Sequence, residues 1–230
     1  MKGPLYLLAL LLTVSACTRA DEADTRAATV PTAANTEPAD GATSRPRIVF
    51  LGDSLTAGLG LERSQSVPSL IQSRLDEDGY GYEVVNAGVS GDTSAGGLRR
   101  LDWSLAGDVR VLVVELGAND GLRGLPTADL KKNLTEVITA AKARGIKVLL
   151  TGMEAPPNYG VEYTTSFRQV YHDLAAMPGV TFMPFYLDGV AGSPTLNQRD
   201  GIHPNPEGAR IVERNVWRSL EPLLDKSSTR

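Results

Sequence analysis

The chain has 230 residues, 42% of them hydrophobic and 22% charged, which is enough to bury one sizeable core in a single folded domain. Its formal net charge of −4 argues against a nucleic-acid-binding protein, which usually presents a basic face. Because the chain holds one cysteine, an intrachain disulfide is excluded.

The N-terminus has the features of a secretory signal peptide. Lys2 precedes an apolar stretch over residues 5–14, and small residues follow before Cys17. The apolar stretch is too short to span a bilayer, which takes about 20 residues. We therefore predict a signal peptide over residues 1–16.

The small residues before Cys17 resemble a bacterial lipobox, in which the cysteine is acylated and becomes the first residue of the mature protein. An ordinary cleaved signal peptide with Cys17 nearby by chance is the alternative. Residues 18–45 are rich in Ala, Thr, Pro, Asp and Glu, and such a segment buries too little apolar surface to fold. The prediction is a lipidated cysteine with a disordered tether over residues 17–45, followed by a folded domain over residues 46–230. An N-terminal lipid anchor would make the protein an exported bacterial lipoprotein on a membrane, with that domain in the periplasm or outside.

From residue 47 onward, short apolar runs alternate with helical stretches. The runs predict strands over residues 47–51, 83–86, 111–116, 147–151 and 180–184. Several runs are continuously apolar, as is typical of a parallel sheet covered on both faces. The alternation predicts an α/β fold, a three-layer α/β/α sandwich around a mainly parallel five-stranded sheet.

Three helices have clear boundaries in the pattern. Ser66 precedes an apolar-periodic stretch that Gly79 closes. Thr127 is predicted to be the N-cap of a helix with one apolar stripe, which ends before Gly145. The last helix carries Ile211, Val212, Val216 and Leu220.

Polar turns with glycines follow the predicted strands. They are Gly52-Asp53-Ser54 and the segments 88–92, 117–120, 154–160 and 200–204. Because functional loops of parallel α/β sheets lie at the carboxyl ends of the strands, these turns are expected to converge on one edge.

Ser54 can act as a nucleophile only if a base takes its proton. The chain has two histidines, and His172 lies in a helical stretch where an ordinary helix histidine is expected. His203 lies in the turn 200–204, and Asp200 could accept the proton on its second ring nitrogen. On its own, this segment could equally be a simple turn with His203 close to a helix N-cap.

Acyl transfer also needs hydrogen-bond donors for the oxyanion. The backbone N–H groups of Ser54 and Gly91 and the side-chain amide of Asn119 are the candidates. Taken singly, Gly91 could serve only a tight turn and Asn119 could cap a helix.

Together, these segments resemble the SGNH/GDSL hydrolases. Gly52-Asp53-Ser54-Leu55, Gly91 in S-G-D-T, Asn119 in G-A-N-D and the D-G-I-H-P run at 200–204 match that family's blocks in order, over residues 47–224. V-S-G-D-T-S and V-E-L-G-A-N-D-G-L-R-G are similar to the bacterial thioesterase I/arylesterase/lysophospholipase group.

The resemblance implies an SGNH hydrolase domain of flavodoxin-like fold over residues 46–230, needing no cofactor and no metal. It implies Ser54 as nucleophile, His203 as base, Asp200 as the group that orients His203, and an oxyanion hole of Ser54, Gly91 and Asn119. The implied activity is hydrolysis of carboxylic esters through an acyl-enzyme, with thioesterase or lysophospholipase side activity. The substrate is a small ester or thioester, and we expect a monomer that binds no nucleic acid.

The substrate contacts are less directly indicated. We expect Asp120, Leu122, Pro156 and Tyr159 to touch substrate, and the glycines of segment 121–126 suggest a mobile lid. Asp120 could instead order its loop, as is expected of Asp92, and Asp53 is expected to support the serine by hydrogen bonding. Arg123 is interpreted as solvated.

Other functions fit the pattern less well. A phosphate-binding protein would need a Walker lysine or G-x-G-x-x-G spacing, and a metal hydrolase would need closer histidines. An inactive tethered binding module would not need His203, Asp200 and Asn119 together. A carbohydrate O-deacetylase remains the alternative enzyme, since it would use the same triad in an open polar groove.

Overall fold

A computed structural model describes residues 45–226 of the chain. The predicted signal peptide, the lipidation at Cys17 and the tether lie outside the described residues. Within residues 45–226, no helix combines the length and the apolar character that crossing a membrane requires.

The centre of the fold is a five-stranded sheet in which all neighbouring strands are parallel. The strands are β1 Arg47–Gly52, β2 Glu83–Gly88, β3 Val109–Glu115, β4 Lys147–Thr151 and β5 Val180–Met183. Their spatial order is β2-β1-β3-β4-β5. The predicted five-stranded parallel α/β sheet is confirmed, and its observed strand ends differ from the predicted ones by at most two residues.

Helices cover both faces of this sheet. They are α1 Ser54–Ala57, α2 Val67–Glu77, α3 Ser94–Arg99, α4 Leu101–Ser104, α5 Ala118–Leu122, α6 Thr127–Ala143, α7 Val161–Ala175 and α8 Pro206–Leu220. Three 3₁₀ turns cover Arg63–Gln65, Pro157–Tyr159 and Glu221–Leu223. Helix α2 packs with α8, whereas α3, α6 and α7 pack together. The connection through α2 runs along the sheet in one direction, from β1 to β2, whereas those through α3, α6 and α7 run in the opposite direction. Because parallel crossovers are right-handed, α2 lies on one face of the sheet and α3, α6 and α7 lie on the other.

Burial explains why the central strands are continuously apolar. Ile48, Val49, Phe50 and Leu51 of β1 have no exposed surface, and the same holds for four consecutive residues of β3. Strand β2 lies at the edge and is only partly buried. The core is therefore centred on β1 and β3, and the turns that follow these two strands are anchored in it.

The helix boundaries follow local chemistry, with one correction to the sequence analysis. Ser66 caps α2 by accepting from the backbone N–H of Ser69, as its position predicts. The predicted N-cap role of Thr127 is wrong, because α6 begins at Thr127 and Pro126 occupies the cap position. The first backbone N–H groups of a helix have no acceptor within the helix, and a proline has no N–H. Pro126 can therefore precede α6 without the loss of a hydrogen bond.

The chain order reverses between β1 and β3. From β1 the chain moves to β2 on one side, and it then crosses back to β3 on the other side of β1. In open α/β sheets, a crevice for ligands forms at such a switch point, outside the carboxyl ends of the strands. The turns carrying Ser54 and Asn119 follow β1 and β3 and border this crevice.

Candidate active site

Ser54 lies at the start of α1, directly after β1. The preceding residue, Asp53, is the N-cap of this short helix, and its Oδ1 accepts from the Leu55 N–H at 3.0 Å. Ser54 is 9% exposed, so its environment is mostly protein. No described residue accepts a hydrogen bond from the Ser54 backbone N–H.

A chain of short hydrogen bonds links Ser54 to His203 and Asp200. Ser54 Oγ lies 2.8 Å from His203 Nε2, and His203 Nδ1 lies 2.8 Å from Asp200 Oδ2. With the proton of the neutral imidazole on Nδ1, His203 donates to Asp200 and its Nε2 accepts from the serine hydroxyl. This arrangement lets His203 take the serine proton while Asp200 faces the imidazolium that forms.

Asp200 is held as an anion by its own turn. Its Oδ1 accepts from the backbone N–H groups of Ile202 at 3.0 Å and His203 at 3.1 Å. These bonds, with the one from the His203 ring, lower the pKa of Asp200 to about 2. The turn is closed by the Gln198 N–H, which donates to the His203 carbonyl at 2.7 Å. Asn205 then caps α8.

Asn119 lies in the short helix α5 and lines the same cavity as Ser54, whereas Gly91 lies in the loop after β2. Asn119 Nδ2 donates to Asp53 Oδ2 at 3.1 Å, which uses one of its two hydrogens. Gly91 has a φ of +83°, a left-handed conformation that favours glycine. Its carbonyl accepts from Arg123 Nη2 at 2.8 Å, so Arg123 joins two segments while its side chain stays exposed, as the sequence suggested.

Arg100 fixes the Gly91 loop against the serine turn. Its guanidinium donates to the carbonyls of Gly52 at 2.7 Å and Ala87 at 2.5 Å, and to Asp92 Oδ2 at 2.6 Å. The Val89 N–H also donates to the Gly52 carbonyl at 3.0 Å. The ends of β1 and β2 and the loop after β2 are therefore held together by one side chain.

A cavity of about 300 Å³ opens beside Ser54, Asn119 and His203. Its walls are mostly apolar and include Leu55, Leu122, Met153, Ala155, Pro156, Pro157, Phe185, Leu187 and Ile202. Leu122 and Pro156 were predicted from the sequence. Wall residues outside the segments of Leu122 and Pro156, such as Met153, Phe185 and Leu187, were missed because their sequence pattern does not differ from ordinary core.

Two predicted substrate contacts are placed elsewhere by the structure. Asp120 is buried away from the cavity lining, and its two oxygens accept from the Ser94 N–H at 2.8 Å and the Ser94 hydroxyl at 2.6 Å. The contacts with Ser94 fit the alternative role of Asp120 in ordering the loop, and the predicted substrate contact has no counterpart in the cavity lining. Tyr159 is also absent from the lining, since its hydroxyl donates to the Leu122 carbonyl at 2.8 Å and supports the wall from behind.

Glu154 is a charged wall residue that sequence reasoning missed. Both of its oxygens accept from the Arg168 guanidinium at 2.7 Å, so its charge is balanced at the protein surface. Within residues 45–226, no group of three or more His, Cys, Asp or Glu side chains is arranged to hold a metal ion.

A buried pair of carboxyl groups lies beneath the serine turn. Burial raises the pKa of Asp53 to about 6, although its hydrogen bonds from Leu55 and Asn119 oppose this. Burial, together with the charge of Asp53, raises the pKa of Glu115 well above its ordinary value. Glu115 was also missed, although an acid directly after the apolar run V-L-V-V of β3 is an unusual signal.

Comparison with known proteins gives consistent matches. A sequence-family profile, the GDSL-like lipase/acylhydrolase family, matches residues 50–211. Esterase TesA of Pseudomonas aeruginosa is 49% identical over 178 residues, covering 77% of this chain and 89% of that protein. An arylesterase of Vibrio mimicus is 41% identical, covering 76% of this chain and 88% of that protein. Thioesterase 1/protease 1/lysophospholipase L1 of Escherichia coli is 36% identical, covering 79% and 86%.

A solved structure agrees with the sequence matches. A crystal structure of TesA superposes with a TM-score of 0.74 at 47% sequence identity, covering 77% of this chain and 99% of that chain.

Proposed function

This chain belongs to the GDSL-like lipase/acylhydrolase family and is a carboxylic ester hydrolase, and on that premise we propose that it works through a Ser54–His203–Asp200 triad and an acyl-enzyme. The observation that carries the proposal is the pair of 2.8 Å contacts joining Ser54 Oγ to His203 Nε2 and His203 Nδ1 to Asp200. In this arrangement the base is within hydrogen-bond reach of the proton it must remove.

In the proposed first step, Ser54 Oγ attacks the carbonyl carbon of the ester while His203 Nε2 takes its proton. The tetrahedral intermediate then collapses, His203 protonates the departing alcohol or thiol, and the acyl group remains on Ser54. In the second step, His203 activates a water molecule that attacks the acyl-enzyme, and the carboxylic acid leaves as the proton returns to Ser54.

The N–H groups of Ser54 and Gly91 and the free Asn119 Nδ2 hydrogen are the proposed oxyanion donors. Support comes from the Ser54 and Gly91 N–H groups, neither of which has an acceptor among the described residues, and from the Asn119 amide, which Asp53 orients. Hydrogen-bond donors that are already oriented before the reaction stabilise the charge that develops on the carbonyl oxygen, because the protein does not have to rearrange during the step.

The apolar lining of the cavity supports the proposed class of substrate. Its walls are apolar beside the serine, which suits an acyl chain or an aryl group of short to medium length. Esters and thioesters both present the required carbonyl, in keeping with relatives that include an arylesterase and a thioesterase/lysophospholipase. A carbohydrate O-deacetylase would favour polar walls for sugar hydroxyls, and we place it second for that reason.

Rates on p-nitrophenyl acetate, butyrate, octanoate and palmitate, and on a butyryl thioester, test the proposal. We expect the highest kcat/KM on short to medium chains, and Ser54→Ala should lose about 10⁶-fold in kcat. Ser64→Ala, which changes an exposed serine, is the matched control and should retain full activity. Activity that survives in Ser54→Ala overturns the mechanism, and activity confined to the acetate favours the deacetylase.

We also propose that the protein is an exported lipoprotein anchored through Cys17. The support is the sequence alone, with small residues before Cys17 after a short apolar stretch. Mass spectrometry of the mature N-terminus should find an acylated Cys17, and Cys17→Ala should move the protein to the soluble fraction. An unmodified or missing Cys17 would contradict the anchor and leave the hydrolase mechanism unaffected.

A further inference from the structure

Glu115 is a buried acid directly behind the serine turn. It is the last residue of β3 and has no exposed surface. Its Oε2 accepts from the Thr56 hydroxyl at 2.8 Å and from the Asp53 N–H at 3.3 Å, whereas its Oε1 has no hydrogen-bond partner among residues 45–226. Within the described chain, no Lys, Arg or His forms a salt bridge with it.

The surrounding backbone is shaped around this contact. A Cβ on Gly52 would lie 2.0 Å from Thr56 Oγ1 and 2.6 Å from Glu115 Oε2. Only a residue without a side chain leaves room for the hydrogen bond between Thr56 and Glu115. The glycine before Asp53 is therefore required by the close approach of Thr56 and Glu115.

Asp53 and Glu115 form a pair of carboxyl groups with few countercharges. Asp53 is fully buried, and its backbone N–H joins it to Glu115. The groups facing the pair are His203, in the turn before α8, and the hydroxyls of Tyr171 and Tyr186, whose raised pKa values keep them neutral. Two adjacent buried carboxylates cannot both be ionised at low cost, so one of them holds a proton at neutral pH.

The hydrogen bonds identify which member holds the proton. Asp53 accepts an N–H from Leu55 on one oxygen and an N–H from Asn119 on the other, which favours its ionised form. Glu115 has one oxygen that no donor of the described chain reaches, which favours its neutral form. The pKa directions agree, since that of Asp53 is raised to about 6 and that of Glu115 is raised well above its ordinary value.

We propose that Glu115 is a positioning residue that carries the proton of this pair, and thereby keeps Asp53 as the anion that orients the Asn119 amide toward the oxyanion. A charged Glu115 would push the shared proton onto Asp53. A protonated Asp53 would lose acceptor capacity toward Leu55 and Asn119, and the Asn119 amide would no longer be held in place. This role rests on the proposed function of Asn119 as an oxyanion donor.

Infrared spectroscopy tests the protonation state without any variant. We expect the wild-type protein at neutral pH to show the carbonyl stretch of a protonated carboxylic acid. The band should shift when glutamate is labelled with ¹³C and should not shift when aspartate is labelled. A band that follows the aspartate label, or no such band, overturns the proposal. This readout is independent of activity, so it is separate from the Ser54→Ala test of the proposed function.

Kinetics on p-nitrophenyl butyrate test the consequence. Glu115→Gln mimics the neutral acid and should keep kcat within about threefold of wild type, while the infrared band disappears. Asp53→Asn has one carbonyl oxygen for two N–H donors, and its kcat should fall about 100-fold with little change in KM. Glu213→Gln, at a buried glutamate paired with Arg74 at 2.9 Å, is the matched control and should leave band and kcat unchanged. A folded Glu115→Gln that loses as much kcat as Asp53→Asn overturns the proposal.

Discussion

Two aspartates flank the Ser54–His203 pair, and their surroundings are opposite. Asp53 is fully buried, and its carboxylate contacts groups from two loops. Asp200 is half-exposed and accepts from the backbone and ring of its own turn. Burial raises the pKa of Asp53 to about 6, whereas hydrogen bonds lower that of Asp200 to about 2. The same side chain is thus set for two different tasks by its environment.

The same contrast applies to two sides of the active site, the serine side at residues 52–56 and the histidine side at residues 200–204. The serine side is held by residues far away in the sequence, since Glu115, Asn119 and Arg100 all contact residues 52–56. The histidine side is a turn in which Asp200 bonds to Ile202 and His203. The serine side therefore depends on the whole sheet being formed, whereas a short segment defines most of the histidine side.

On the histidine side, the largest expected effect equals that of Ser54→Ala. His203→Ala removes the base, and kcat should fall about 10⁶-fold, or about 8 kcal/mol of transition-state stabilisation. His172→Ala is the control, because His172 lies in α7 with its ring edge-on to Phe182. Steady-state kinetics on p-nitrophenyl butyrate measure both variants. A His203→Ala enzyme as active as His172→Ala would show that another group is the base.

The next effect is on the serine side. Asn119→Ala removes one proposed oxyanion donor, and kcat should fall about 100- to 1,000-fold with little change in KM, because the interaction strengthens only in the transition state. Asn215→Ala, whose amide donates to the Asp188 carbonyl at 2.8 Å, is the control and should keep kcat. An increase in KM alone would mean that Asn119 binds substrate without stabilising the oxyanion.

A mostly buried arginine that joins several segments should contribute more to the free energy of unfolding than an exposed arginine in a single ion pair. Arg100→Met removes the side chain that ties β1, β2 and Asp92 together, and the unfolding free energy should fall by about 3 kcal/mol. Arg168→Met breaks the exposed pair with Glu154 and should cost less than about 1 kcal/mol. Urea denaturation monitored by circular dichroism measures both losses. Equal losses would contradict the view that the serine side depends more on its buried contacts.

Asp53 and Asp200 should make the free energy of unfolding depend on pH in opposite directions. Between pH 3.8 and about 6, the folded chain keeps a proton on Asp53 that the unfolded chain has released, so the unfolding free energy falls as pH rises. A shift of about two pKa units corresponds to about 3 kcal/mol lost across this window. Between about pH 2 and pH 3.8, the unfolded chain holds a proton that Asp200 has released in the folded state, so stability falls as pH drops.

Urea denaturation of wild type, Asp53→Asn and Asp200→Asn from about pH 3 to about pH 7 measures these slopes. The stability of wild type relative to Asp53→Asn should fall as pH rises toward 6. Relative to Asp200→Asn, it should fall as pH drops below 4. Slopes of the same sign would show that the two environments do not differ as described.

Several features could be inferred from local patterns. The continuous apolar runs of β1 and β3 predict a covered parallel sheet, and Ser66 predicts the start of α2. Asp200 and His203 are three residues apart, so their pairing is a local property of one turn. Because the carboxyl ends of parallel strands meet at one edge, the approach of the Ser54 and Asn119 turns is also predictable.

Other features depend on contacts that local patterns do not encode. Sequence patterns did not indicate the hydrogen bonds of Asp120, because its partner Ser94 lies 26 residues away. The apolar walls of the cavity come from segments after β4 and β5 that meet only in the folded chain. The glycine and serine of G-D-S-L can be recognised in the amino-acid sequence. Only the tertiary structure brought Glu115 behind them, because burial and the charge of a neighbour decide the state of an acid, and both are set by residues distant in sequence.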